Sequence, residues 1–292
     1  MGNEQSHKRR LRWNGLPELK KEILSLRFFA SCFLLFGLTA SVATGVDRLV
    51  ERTGVYISPW IAPHFFSNRE YTGLYGFIIC YMFSSVPFMS RSELYGVIRK
   101  SRYIWITEKL FAVIVEALLI TLAGHLFCVL IFVPHVTIEA DWGKMIYTLA
   151  YSHITADFNI VAYCYGNILL NYTPVAAMLI SVAMTWAVTA FIGLLMFMLS
   201  LYLGRMTALI IGVLLSGLNF LNEITLFVKW LKYVTPFNWN ALGRYGATIF
   251  GPEFYPTFAE SSLILFPAII VIVTLILFKA RHMEFEWVIE EG

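Results

Sequence analysis

The sequence predicts an all-α membrane protein with six transmembrane helices, an N-terminal amphipathic interfacial helix, and a re-entrant segment between spans five and six. Three observations carry that expectation. Hydrophobic residues make up 58% of the 292 residues and charged residues only 14%, whereas soluble domains carry about 25% charged residues. Mean hydropathy is +0.69, more apolar surface than a soluble core of this size can hide. Six apolar segments are each long enough for about 30 Å of hydrocarbon, and Lys and Arg are distributed unevenly between them.

Residues 1–15 read as a polar, basic tail containing Lys8, Arg9, Arg10 and Arg12. No small-residue cleavage site follows the first apolar run, which argues against a removed signal peptide. The opening Met1-Gly2-Asn3-Glu4-Gln5-Ser6 fits the permissive myristoylation pattern. Residues 16–27 read as the amphipathic helix. Pro17 suits a first helical position, and Leu16, Leu19, Ile23 and Leu26 share one face opposite Glu18, Lys20, Lys21, Glu22 and Ser25. Such a helix lies flat at the membrane surface.

The six-span domain covers residues 28–280, with a short tail at 281–292. The spans are expected near Phe28–Val46, Thr72–Met89, Leu110–Pro134, Val175–Tyr202, Met206–Val228 and Leu263–Phe278, with only Leu203-Gly204-Arg205 between the fourth and fifth. Seven Lys or Arg precede the first span. Five more lie between spans two and three, one in the tight turn and two in the C-terminal tail; seven are spread over the longer loops of the other side. Positive charge is retained in the cytoplasm, so both termini are expected there, in the cell (plasma or inner) membrane. Cys164 then lies outside, where an impermeant thiol reagent reaches it unless it is locally buried.

Two segments break the pattern. Met145–Leu170 is long and apolar but contains His153, Asp157, Asn159 and Asn167, and a span there would put Lys279 and Arg281 outside. It is expected as an extracytoplasmic loop with surface-lying helix, its tyrosines at the interface. In Phe227–Ser262, Pro236, Asn238, Asn240 and Gly251-Pro252 interrupt any continuous span, so the chain is expected to dip into the bilayer and return. Irregular backbone at that depth needs protein cover or a wet cavity.

Catalytic patterns are scarce. Gly143-Lys144 lacks the earlier glycine of a P-loop, the six histidines form no HExxH, and there is no GxSxG. Four cysteines without CxxC spacing read as small hydrophobes. A net charge of +3 gives no reason to expect a nucleic-acid partner. The intramembrane polar candidates are Glu116, His125, Asn219, Asn222 and Glu223. Polar groups in spans are costly and face the bundle interior. Interhelical hydrogen bonding accounts for His125 and the asparagines. Glu116, about two turns into span three, must be protonated, face a wet cavity, or pair with Arg205, Lys109 or Arg27.

The stretch Phe88–Lys109 holds Arg91, Arg99, Lys100, Arg102 and Lys109 between two apolar runs, and Tyr95, Arg99, Arg102 and Tyr103 supply the aromatic anchors and charges of a docking segment. Six spans, cytoplasmic termini, the amphipathic helix and this loop together resemble the ABC-2 type permease family, the membrane subunits of ABC exporters. Glu93, Ser101-Arg102 and Lys109 match the order of the family's loop motif, and Thr235-Pro236-Phe237 looks like part of its re-entrant stretch. The Gly-Thr-Leu often found early in that loop is replaced around Leu94-Tyr95-Gly96, Glu108 stands where glycine is common, and the Val136–Thr173 loop is longer than in compact members.

The resemblance implies a transport subunit, not an enzyme, that has no nucleotide site or cofactor of its own. ATP and Mg would sit on a separate ABC ATPase dimer contacted through Arg91, Glu93, Tyr95, Arg99, Arg102, Tyr103 and Lys109. A second permease copy, identical or related, would complete the pathway across the lipid bilayer. Aromatic outer loops fit an amphipathic peptide, lipid-linked or drug-like cargo. The rival reading is an ATPase-independent facilitator, or a membrane-embedded enzyme using Glu116 and His125; nine residues apart, these two lie on opposite helix faces.

Overall fold

A computed structural model describes residues 15–86, 102–152, 160–161, 163–221, 231–245 and 255–281. Among them the chain is mostly helical, without strands; one isolated parallel bridge joins Ile57 to Val136. The first helices are α1 (Gly15–Ile23), α2 (Leu26–Thr53), the single turn α3 (Ala62–Phe65) and α4 (Arg69–Met82). After them come α5 (Arg102–Leu130), α6 (Gly143–Tyr151), α7 (Gly166–Asn171) and α8 (Pro174–Leu203). The chain continues through α9 (Arg205–Leu221), the single turn α10 (Leu231–Val234) and α11 (Phe258–Arg281).

Among the described residues, four helices are long and apolar enough to cross a membrane: α2, α5, α8 and α11. α8 is apolar all round, starts on Pro174 and ends at Gly204, whose positive φ of 89° lets one residue turn the chain into α9. With 67% of its apolar window buried, α8 is the hub and packs against α5, α9 and α11. α11 is as apolar, yet only 22% of its window is buried, so its apolar surface is left for lipid. α2 packs on α4 and α5, and α4 on α9.

Two expected spans are shorter as described. α4 has 14 residues, about 21 Å at 1.5 Å per residue, and a one-turn 3-10 helix, Phe83–Ser85, follows it. α9 has 17 residues. The remainders of those spans, residues 87–89 and 222–228, lie outside the described residues.

The start of the chain differs from its expected form. A single helix over residues 16–27 does not form: α1 stops at Ile23, and Ser25 takes an extended conformation and accepts a hydrogen bond from the Phe28 amide, capping α2. Leu26 therefore opens α2 and is 84% exposed. α1 itself packs along α5. α5 in turn begins at Arg102, eight residues before the expected start of span three, because Trp105 and Ile106 continue its buried face.

The opposite end of the bundle is closed by irregular chain. Residues 143–171 contribute the short helices α6 and α7 and no described spanning helix. Residues 235–245 are buried throughout, with 3-10 turns at Pro236–Asn238 and Leu242–Arg244. Side chains satisfy the backbone of this cap: Ser67 Oγ accepts from the Gly243 amide at 2.8 Å, and Asn167 Nδ2 donates to the Tyr245 carbonyl at 2.6 Å. Asn68 caps α4 through the Tyr71 amide and donates to the Val161 carbonyl at 2.7 Å. His64 Nδ1 accepts from the Tyr165 amide at 3.0 Å, and burial pushes this imidazole down to about 3, so it is neutral at pH 7. Cys164 is buried beneath the same cap, which pushes its thiol up to about 12. It is therefore a poor target for the thiol reagent, wherever that end of the molecule lies.

Candidate functional site at the α1 end of the bundle

Only part of the expected docking segment can be placed. Arg91, Glu93, Tyr95 and Arg99 lie outside the described residues, as do Asn222 and Glu223. Arg102 and Tyr103 form the first turn of α5 and are exposed, Tyr103 to 53%. Lys109, expected in the water-facing loop, is instead fully buried two turns into α5. The physical reason is packing: α1, α2, α8 and α11 all contact α5.

Glu116 lies two turns beyond Lys109 on α5 and is 2% exposed; its Oε1 has no hydrogen-bond partner. It forms the floor of a cleft of about 310 Å³ lined by Glu22, Ser25, Leu26, Arg27, Phe28, Tyr81, Met82, Ser85 and Glu116. The walls come from the α1–α2 junction and from the end of α4. The charges that act on the carboxylate are Glu22 and Lys109. Of the three cations expected as partners for Glu116, Lys109 is thus close by and Arg27 shares the cleft, while Arg205 is not part of its lining. The break between α1 and α2 is what brings Glu22, Ser25 and Arg27 to one place.

The other polar candidates belong to packing. His125 Nδ1 donates to the Thr121 carbonyl at 2.9 Å, and its Nε2 shares a hydrogen bond with the Ser181 hydroxyl at 3.1 Å. Phe66 stacks on the ring at 4.2 Å. Asn219 joins α9 to α4 by donating to the Arg69 carbonyl at 2.8 Å and to Thr72 Oγ1 at 3.1 Å.

A hydroxyl seam through the bundle was not singled out from the sequence. Tyr71 Oη meets Thr39 Oγ1 at 3.0 Å, and Tyr75 Oη meets Thr189 Oγ1 at 2.8 Å and Thr121 Oγ1 at 3.4 Å. Its signal is the Tyr71/Tyr75 pair one helical turn apart in an otherwise apolar stretch. These groups satisfy one another and tie α2, α4, α5 and α8 together. Among the described residues no three His, Cys, Asp or Glu gather to hold a metal ion.

Among the described residues these features define an all-helical fold with four helices able to cross a membrane and a charged cleft at one end of the bundle. Compared with models of known families, with curated proteins and with solved structures, the chain matches none.

Proposed function

We propose that this chain is the membrane-spanning permease subunit of an ABC-type exporter, driven by a separate ATPase and working as a pair of permease copies. In this reading α4 and α9, continued by residues 87–89 and 222–228, complete a set of six spans. Residues 227–262 form the re-entrant segment, and both termini face the cytoplasm. The observation that carries the reading is the packing of α1 along α5, the helix whose first turn ends the basic segment 91–103. A partner pushing on that segment would move α5 and α1 as a unit. It would thereby displace Glu116 and the hub helix α8, which packs on α5, in a rigid-body switch between two access states. An amphipathic peptide, lipid-linked or drug-like cargo fits the aromatic residues at the opposite end.

Two experiments test this. The combined Tyr95→Ala and Arg102→Ala variant should insert normally but lose a co-purifying ATPase, because anchors of this kind carry most of an interface's energy, about 2 kcal/mol or more each. ATPase retention unchanged by the double variant would refute the docking role. For topology, Ile138 is 92% exposed at the cap end and replaces Cys164 as the reporter. An impermeant maleimide on intact cells should label Ile138→Cys and spare a cysteine added after Arg281; the reverse pattern would sink the six-span topology.

A further inference from the structure

The cleft around Glu116 holds more chemistry than a force-transmitting joint needs. Glu116 lines it at 2% exposure, and its buried Oε1 has no hydrogen-bond partner, a carboxylate that gains from a donor brought to the cleft. Tyr81, Ser85 and Ser25 also line the cleft. Arg27, exposed at the start of α2, supplies a guanidinium to the same cleft. Glu116 has Glu22 and Lys109 as its charged neighbours. The cleft itself is lined by two carboxylates, Glu22 and Glu116, and one guanidinium, Arg27, so it offers sites for both ends of a dipolar group. A zwitterion, with its positive end toward Glu116 and its negative end toward Arg27, matches both.

We propose that this cleft binds the head group of a phospholipid bearing a primary amine, the ammonium donating to Glu116 and the phosphate accepting from Arg27. A primary ammonium has three N–H donors, enough for the carboxylate and neighbouring hydroxyls. The guanidinium fork matches a phosphate. The cleft sits where the apolar surface of the bundle begins: Leu26 and Phe28 line it, and Leu26, Phe29 and Phe33 are 84%, 55% and 76% exposed. Acyl chains leaving the cleft would run onto that surface, which makes a membrane lipid the source rather than a soluble phosphoamine. A choline head group, lacking N–H, cannot donate to Glu116 and should bind more weakly. This assignment stands independently of the export reading, because it needs no ATPase.

The test is native mass spectrometry of the purified full-length chain in detergent, titrated separately with dioleoyl phosphatidylethanolamine, phosphatidylcholine and phosphatidylglycerol. One phosphatidylethanolamine per chain should be retained in preference to either other lipid. Glu116→Gln, which keeps the shape and removes the charge, should weaken that retention about tenfold, the loss of one charge-assisted hydrogen bond. Arg27→Ala, at an exposed position with little risk to folding, should weaken retention of phosphatidylethanolamine and of phosphatidylcholine alike, because both present a phosphate to the guanidinium. Equal retention of the three lipids, or retention unaffected by both substitutions, would overturn the site. Soluble phosphoethanolamine binding as tightly as the lipid would overturn the assignment to a lipid.

Discussion

Lys109→Met should sharply lower the yield of folded protein and its thermal midpoint, a destabilisation of roughly 3–5 kcal/mol. Lys109 is fully buried on α5 beneath α1, and it acts on Glu116. Methionine keeps the length of the stem and removes the charge, so packing changes little while the carboxylate side of the cluster loses its compensating cation. Removing one partner from a buried group of charges costs more than the group contributed, because the remaining charge stays in a medium that cannot solvate it. The double variant Lys109→Met with Glu116→Gln should recover part of the loss, since the stranded charge is then absent. Size-exclusion profiles and thermal unfolding in detergent read both effects. A single variant as stable as the wild type, or a double variant no better than the single, would mean that Lys109 does not compensate Glu116.

Gly76→Leu should be the most damaging substitution among the bundle glycines on α4. A Cβ at residue 76 would lie 2.6 Å from the Phe237 ring and 2.8 Å from Ser216 Oγ. Phe237 and Ser216 are both fully buried, so neither side chain has open space to move into. Gly76→Ala alone should cost about 1–3 kcal/mol through overpacking, and leucine more. Gly217 on the neighbouring helix is the control, because nothing lies within 4 Å of its added Cβ. There alanine should be neutral or stabilising, by up to about 1 kcal/mol of helix propensity. Combining Gly76→Ala with Phe237→Leu should restore part of the lost stability, locating the clash between α4 and the buried irregular segment. Equal thermal midpoints for Gly76→Ala and Gly217→Ala would contradict that close approach.

How far the fold can be read from the residues depends on what sets each boundary. α8 and α11 were legible because a long apolar run bounded by punctuation is set locally: Pro174 and Gly204 delimit α8, and Lys279 and Arg281 close α11. The irregular course of residues 235–245 was also visible, in Pro236 and the neighbouring polar residues. The start of α5 was not, since Arg102-Tyr103-Ile104-Trp105-Ile106-Thr107-Glu108-Lys109 has the composition of an exposed loop. Its burial comes from helices distant in sequence that pack on α5. For the same reason Lys109 was expected in water and lies in the interior. The break between α1 and α2 turns on the single capping hydroxyl of Ser25, which the continuing amphipathic pattern through Leu26 masked. Glu116 stood out as a lone acid in an apolar run. The cleft above it did not, because its walls come from three helices brought together only by packing.

The central claim is that a separate ATPase docks on the basic segment between α4 and α5. A photo-crosslinking amino acid placed at Tyr95 in otherwise wild-type protein, irradiated in intact membranes of the source cells, tests it most directly. The account predicts one dominant adduct, with a partner that carries a P-loop and hydrolyses ATP, and its loss when Arg102→Ala is added. Crosslinking to lipid alone, with no ATPase adduct although the protein is folded and inserted, would contradict it.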